Sequence, residues 1–166
     1  MSTGIVRHRV RVVAVNYEPL LVAGIHPMAA PKMKEVLVDA FNDGREHRQY
    51  LLSRLHAFLE RLSQLIGRAF KVWIDGSLLS SKPEPADVDL VVITHAEQLN
   101  ALGQSEKEAL RQIFNTERQN VKQQFSCDVY LMLAGDDDRE QYWRTFFGHD
   151  RNGRPKGIVE MDYNHD

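Results

Sequence analysis

Cysteine is nearly absent from this chain of 166 residues, since Cys127 is the only one. A single thiol can form neither an internal disulfide nor a cysteine metal site, which predicts a protein of the reducing cytoplasm. The chain also lacks any apolar run near the roughly 20 residues that cross a membrane, so no membrane partner is expected. The stretch "MSTGIVRHRVRVV" has no long apolar core, which argues against a signal peptide.

A large excess of either charge is missing as well, because 21 Lys and Arg residues face 23 Asp and Glu residues, a net charge of −2. Such a chain has no overall attraction for nucleic acid. The alternation in "IVRHRVRVVAV" predicts a strand with one basic face. This face makes nucleic-acid binding a functional hypothesis, but the net charge makes it weaker than the two hypotheses given below. Length and composition predict one domain over residues 1–166, with an N-terminal strand or arm over 1–28 and a core over 29–166.

Apolar periodicity predicts helices among strands. The clearest helix runs from Glu46 to Ile66, where leucines recur at three- and four-residue steps and Gly67 suits the C-terminal cap. Further helices are predicted over 31–41, after a capping box of Ser105 with Glu108, and from the acidic residues 136–138 to about 148.

Four segments are typical of strands, namely "AFKVWID", "DVDLVVIT", "FSCDVYLMLA" and "GIVEMDY". The proline-rich "EPLLVAGIHPMAAP" is predicted to be irregular. The loop between the first two strands is too short for a crossover helix, which favours antiparallel neighbours. The predicted fold class is therefore α/β (α+β), a small mixed sheet flanked by helices.

Carboxylates interrupt two of these apolar strands. Asp87 and Asp89 alternate along one strand, so their side chains share a face at roughly 6.5 Å spacing. Asp128 lies in the next strand and reaches the same place if the two strands are neighbours. Carboxylate oxygens are the ligands that Mg²⁺ prefers, and a third carboxylate can also accept the proton of an attacking hydroxyl. The three aspartates are therefore predicted to bind metal and to act in catalysis.

The corner before these strands has the features of a phosphate-binding turn. Gly76 permits close backbone approach, and the N–H groups after it, with the Ser77 hydroxyl, can contact phosphate oxygens. Lys82 in the same loop is a candidate counter-charge, and Asp75 suits either the site or a hydrogen bond in the turn. A basic turn near the C-terminus fits phosphate contact and a solvated turn equally well; its members are Arg151, Arg154 and Lys156.

The order of these features resembles the nucleotidyltransferase fold of the DNA polymerase β superfamily. The matching segments are "WIDGS", "DVDLVV" and "CDVYLM". The resemblance implies Asp87 and Asp89 as metal ligands, Asp128 as the third carboxylate, and Gly76 and Ser77 as phosphate binders. It also implies two Mg²⁺ ions, with Mn²⁺ as a substitute, and ATP or another nucleoside triphosphate as substrate.

A narrower resemblance covers most of the chain from about residue 19 to 159. The segments "GIHP", "IDGSLLSSKPEPADVDLVV" and "FFGHDRNGRPKGIV" are similar to small stand-alone bacterial and phage proteins of the DUF6932 type, which bring no established reaction. This likeness favours a phosphate-binding role for Lys156. Many small superfamily members carry an arginine shortly after Gly-Ser, whereas this chain has Leu78, Leu79 and Ser80.

Two hypotheses follow from the resemblance. The first is a nucleotidyltransferase that transfers a nucleoside monophosphate, by default AMP, to a hydroxyl of a protein or RNA in a toxin–antitoxin or phage-defence setting. The alternative is a catalytically inactive binding module on the same fold, an antitoxin-like protein or nucleotide sensor, which the missing arginine favours. A homo-oligomer and a cognate partner protein are both compatible with the sequence.

Overall fold

The computed structural model describes residues 17–163, which form a five-stranded mixed sheet flanked by helices. The predicted basic strand at the N-terminus lies outside the described residues. The strands are β1 (Gly24–Pro27), β2 (Lys71–Asp75), β3 (Val88–Thr94), β4 (Cys127–Leu133) and β5 (Gly157–Asp162). The mixed α/β class predicted from the sequence is thereby confirmed.

The sheet has the strand order β1-β5-β2-β3-β4. Strand β2 runs antiparallel to both β3 and β5, whereas β4 is parallel to β3 and β1 is parallel to β5. The predicted antiparallel pairing across the short loop is confirmed. Strand β4 lies beside β3, which is the condition under which Asp128 reaches Asp87 and Asp89. These pairings place the aspartate-bearing ends of β2, β3 and β4 next to one another.

Six α-helices surround the sheet in the described part of the chain, two of them continued by a wide π-type turn. They are α1 (Ala30–Lys34, continued by Glu35–Asp39), α2 (Arg45–Ile66), α3 (Ala96–Asn100), α4 (Gln104–Arg111, continued by Gln112–Thr116), α5 (Arg118–Phe125) and α6 (Asp137–Phe147). Helix α2 has nearly its predicted bounds and ends at Gly67, whose φ of 82° suits glycine. Helix α6 begins as predicted, with the Arg139 N–H donating to Asp136.

Two local predictions were wrong. The capping box does not form, because Ser105 Oγ donates to Glu106 and α4 begins after Gly103 without a side-chain cap. The segment predicted to be irregular contains β1, a four-residue edge strand whose backbone pairs with β5. Residues 24–27 of the predicted N-terminal arm therefore belong to the sheet.

The central strands are buried on both faces of the sheet. One face packs against α2 and α5, and its buried strand residues include Val72, Ile74, Leu90, Val92 and Val129. The other face packs against Trp143 and Phe147 of α6. Alternation along the strands places Asp75, Asp89 and Asp128 on the α6 face. Within residues 17–163, no helix combines the length and apolar character needed to cross a membrane.

Candidate active site

Three aspartates from three neighbouring strands lie side by side, at the same end of the strands. Asp75 in β2 is the register partner of Asp89 in β3, and Asp89 is the register partner of Asp128 in β4. Asp87 precedes β3 by one residue, two positions from Asp89. The structure thus brings together the three predicted carboxylates and adds Asp75. We call these four residues the carboxylate cluster.

Electrostatic repulsion within the carboxylate cluster is concentrated on Asp89. Burial raises the pKa of its carboxyl to about 6, and the negative charges of Asp87 and Asp128 add to the increase. The cations Lys122 and Lys156 oppose this increase without cancelling it. An ionised Asp89 is therefore undercompensated, and such a group is stabilised by a bound cation.

Asp75 is the most deeply buried member of the carboxylate cluster, with 4% of its surface exposed. Burial raises the pKa of its carboxyl to about 7, although Lys156 and the Gly76 N–H act in the opposite direction. Lys156 Nζ lies 2.9 Å from Asp75 Oδ1. Lys156, predicted as a phosphate binder, thus faces the cluster. Arg154 of the same basic turn is instead paired with Asp150, at 2.7 Å.

The Gly76–Ser77 corner touches the carboxylate cluster directly. Gly76 has φ 86° and ψ −166°, a conformation that is essentially restricted to glycine. A Cβ at this position would lie 2.3 Å from Asp89 Oδ2, so the backbone approaches the carboxylate as closely as a hydrogen atom permits. Ser77 is half-buried and begins a 3₁₀ turn over Ser77–Leu79. The two predicted phosphate-binding residues therefore lie beside Asp89.

Replacing Gly76 by alanine should lower the free energy of unfolding by about 1–3 kcal/mol, because the methyl group both strains the backbone and meets Asp89. Gly135 is a matched control, since its φ is also positive, 85°, but nothing lies within 4 Å of its added Cβ. Urea denaturation of Gly76→Ala and Gly135→Ala separates clash from strain. An equal loss in the two variants would contradict the close contact.

Lys82, also predicted to bind phosphate, is held through its backbone by a residue that sequence reasoning missed. Arg48 is fully buried in α2, and its guanidinium lies 3.6 Å from the centre of the Phe41 ring. It donates four hydrogen bonds of 2.6–2.9 Å to the backbone carbonyls of Leu37, Leu78, Ser80 and Lys82. Burial lowers its pKa to about 10. Arg48 thereby fixes the loop that follows the Gly76–Ser77 corner.

Two basic residues of α5 were missed as well. Arg118 Nη2 lies 2.6 Å from Asp128 Oδ1, and its guanidinium lies 4.1 Å from the centre of the Tyr130 ring. Lys122 Nζ lies 3.1 Å from Asp87 Oδ2, and this hydrogen bond raises the pKa of Lys122. The sequence carries a signal for the pair, because residues four apart share one face of a helix.

The carboxylate cluster has the donor chemistry of a hard divalent cation, since carboxylate oxygens suit Mg²⁺ and Mn²⁺. The raised pKa of Asp89 is consistent with such a ligand. Among the described residues, however, no group of three or more His, Cys, Asp or Glu side chains is arranged to hold a metal ion. Asp87 and Asp128 instead bind Lys122 and Arg118. Metal binding there has to compete with these two ion pairs.

Comparison with known proteins identifies a family but no reaction. A family model described as "Family of unknown function (DUF6932)" matches residues 13–162. The chain belongs to this family. The DUF6932 match includes the whole carboxylate cluster, the Gly76–Ser77 corner and both basic residues of α5. No curated protein and no solved structure matches the chain. The comparisons name no reaction for this DUF6932 member, so the geometry of its own carboxylate cluster is the guide to its chemistry.

Proposed function

We propose that this protein is a metal-dependent nucleotidyltransferase with the fold of the DNA polymerase β superfamily. It transfers a nucleoside monophosphate, by default AMP from ATP, to a hydroxyl group of a protein or RNA. The observation that carries the proposal is the pairing of Asp89 with Asp128 on adjacent parallel strands, beside Asp87 and the Gly76–Ser77 corner. Asp128 is about forty residues from Asp87 and Asp89 in the sequence, yet all three lie near the end of β2, where the proposed phosphate-binding turn begins.

Asp87, Asp89 and Asp128 would hold the divalent cations. When bound, Mg²⁺ ions supply positive charge that stabilises a reacting phosphate and favours the alkoxide form of the attacking hydroxyl. The Ser77 hydroxyl and the N–H groups at the start of the Ser77–Leu79 turn bind phosphate oxygens, because the first N–H groups of a helical turn point outward. Lys156, which contacts Asp75, adds positive charge at the cluster, and Lys82 of the same loop is a second candidate counter-charge.

The proposed transfer forms one phosphorus–oxygen bond and breaks another. The acceptor oxygen forms a bond to the α-phosphorus, the bond to the bridging oxygen breaks, and pyrophosphate leaves with its electron pair. Asp128 accepts the proton of the acceptor hydroxyl as the new bond forms. Arg118 Nη2 lies 2.6 Å from Asp128 Oδ1, so this oxygen can accept the proton only after Arg118 has moved away.

Pyrophosphate release tests the proposal. The wild-type protein with Mg²⁺ or Mn²⁺, each of the four nucleoside triphosphates and a cell extract as acceptor should release labelled pyrophosphate. Asp87→Asn should reduce this release at least about 10³-fold, because a metal ligand lowers the barrier by several kcal/mol. Asp162→Asn is the matched control. Asp162 is an exposed residue of β5 and the register partner of Lys71, at the end of β2 that is remote from Asp75. The proposal fails if the wild type releases none with any nucleotide.

A binding module without turnover is the second candidate, and two observations favour it. Leu78 and Leu79, which replace the arginine common in the superfamily, are buried in the core. Asp87 and Asp128 are also neutralised by protein cations. Calorimetry with ATP and Mg²⁺ separates the candidates, because the enzyme requires metal-dependent nucleotide binding. A toxin–antitoxin or phage-defence setting in the cytoplasm, with a cognate partner protein, rests on analogy with other stand-alone members.

A further inference from the structure

Arg118 and Lys122 are long, partly solvated side chains at the rim of the carboxylate cluster. Their side chains are 30% and 39% exposed, and they project from α5 one helical turn apart. Each contacts a different carboxylate, Arg118 the one on Asp128 and Lys122 the one on Asp87. Such side chains can change rotamer without moving the helix, because their stems are flexible and their charged ends remain in water.

The corner after β2 offers no comparable cation. Leu78 and Leu79 point into the core with at most 1% of their surface exposed. Lys156 is bound to the buried Asp75, and its side chain is only 13% exposed. A triphosphate at the Gly76–Ser77 corner would therefore have Lys82 as the one cation of its own loop. Arg118 and Lys122 of α5 are further candidates, because they already contact the carboxylate cluster.

The charge at this place depends on what the carboxylates bind. Four carboxylates face three cations, namely Lys122, Lys156 and Arg118. A divalent cation on the carboxylates reverses the balance to net positive, which favours a polyanion. It also takes over the carboxylate oxygens that Arg118 and Lys122 occupy, so both basic groups become available on the side where phosphates would lie.

We propose that Arg118 and Lys122 form the polyphosphate-binding arm of this site, in place of the arginine absent after Gly-Ser. They neutralise Asp128 and Asp87 while the carboxylates hold no metal, and they bind the β- and γ-phosphates of the nucleotide once the carboxylates hold one. This inference rests on the proposed function and deepens it, because it names the residues that recognise the triphosphate tail.

The arrangement has a consequence that a structural ion pair does not share. Removing Lys122 removes a competitor for the Asp87 oxygens, so the affinity for a metal ion alone should rise. The same change removes a phosphate ligand, so the affinity for a triphosphate should fall. A lysine that acted only through its charge, without contact to the β- and γ-phosphates, would also weaken binding of the anionic AMP.

Lys122→Met tests the inference by binding alone. Mn²⁺ binding without nucleotide should become about two- to fivefold tighter, since an exposed ion pair is worth up to about 1 kcal/mol. Binding of a non-hydrolysable ATP analogue with saturating Mn²⁺ should become about tenfold weaker, because a charge-assisted hydrogen bond is lost. AMP binding should not change, and Lys122→Arg should restore the affinity for the analogue. Lys34→Met is the control, because Lys34 forms an exposed ion pair with Asp39 remote in sequence from the cluster.

The outcomes separate the two proposals. If the wild type binds Mn²⁺ and the analogue but Lys122→Met changes neither affinity, the polyphosphate arm is overturned while the proposed function stands. If Lys122→Met weakens AMP as much as the analogue, Lys122 contacts another part of the nucleotide and the inference is again overturned. If the wild type binds Mn²⁺ but no triphosphate, both the arm and the proposed function are overturned.

Discussion

Replacing Arg48 by methionine should lower the free energy of unfolding by about 3–5 kcal/mol, the largest loss of stability we expect from one substitution. Methionine fills a similar volume but donates no hydrogen bond. The four carbonyls would lose the donors of Arg48, two of them in buried places (Leu37 and Leu78) and two in part-buried places (Ser80 and Lys82). Each orphaned acceptor costs about 1–3 kcal/mol, less whatever water can recover.

Urea denaturation measures this loss as a lower midpoint at an unchanged slope. Arg111→Met is the control, because Arg111 is 66% exposed and forms only a surface pair with Glu108. It should change the free energy of unfolding by less than about 1 kcal/mol. Arg48→Lys should fall between the wild type and Arg48→Met, since an ammonium group cannot reproduce the planar fork that spans four carbonyls. If Arg48→Met is as stable as Arg111→Met, the loop does not depend on Arg48.

Asp89→Asn should abolish nucleotidyl transfer and at the same time stabilise the protein. Under the proposed function, transfer should fall at least about 10³-fold, because Asp89 is a proposed metal ligand. The free energy of unfolding at about pH 7.5 should rise by on the order of 2 kcal/mol, because the variant no longer holds a charged carboxylate in a buried, negative environment. If the proposed function requires the repulsion between these carboxylates, the wild type is less stable than its inactive variant.

The pH dependence of that gain identifies its cause. The pKa of Asp89 is raised to about 6, so the folded protein binds this proton more tightly than the unfolded chain does. The wild type therefore loses stability as the pH rises from about 4 to about 6, and the lost stability is not recovered above that range. The difference between Asp89→Asn and the wild type should vanish near pH 4 and be complete above about pH 7. Asp162→Asn, at an exposed position, should show no such profile, and a gain independent of pH would contradict this explanation.

Features fixed by local pattern were predictable from the sequence. Helix α2 carries its own apolar stripe and terminal glycine, and β3 and β4 are apolar runs whose only charged residues are the aspartates. Strand β1 was missed because its four residues have little strand character of their own and are held by β5. The capping box failed because Ser105 lies one residue inside the helix rather than at its start.

The cations of the site were missed for a different reason. A charged residue on an amphipathic helix is ordinarily solvated, and only tertiary contacts reveal an exception. Arg48 precedes Leu51 and Leu55 by three and seven residues, on the apolar side of α2, and that position was the available signal. Arg118 and Lys122 are half-buried on α5, and only the placement of β4 beside β3 brings them to Asp128 and Asp87.

Asp75, Asp89 and Asp128 occupy one rung of the backbone hydrogen-bond ladder across three strands. Neighbouring strands in a sheet are about 5 Å apart, so the ladder itself dictates the separation of these residues. Substitutions of surface side chains do not change this separation. Among related proteins, the arrangement of the carboxylates should therefore persist with the sheet, while the surrounding segments 77–87, 118–125 and 148–156 are free to diverge.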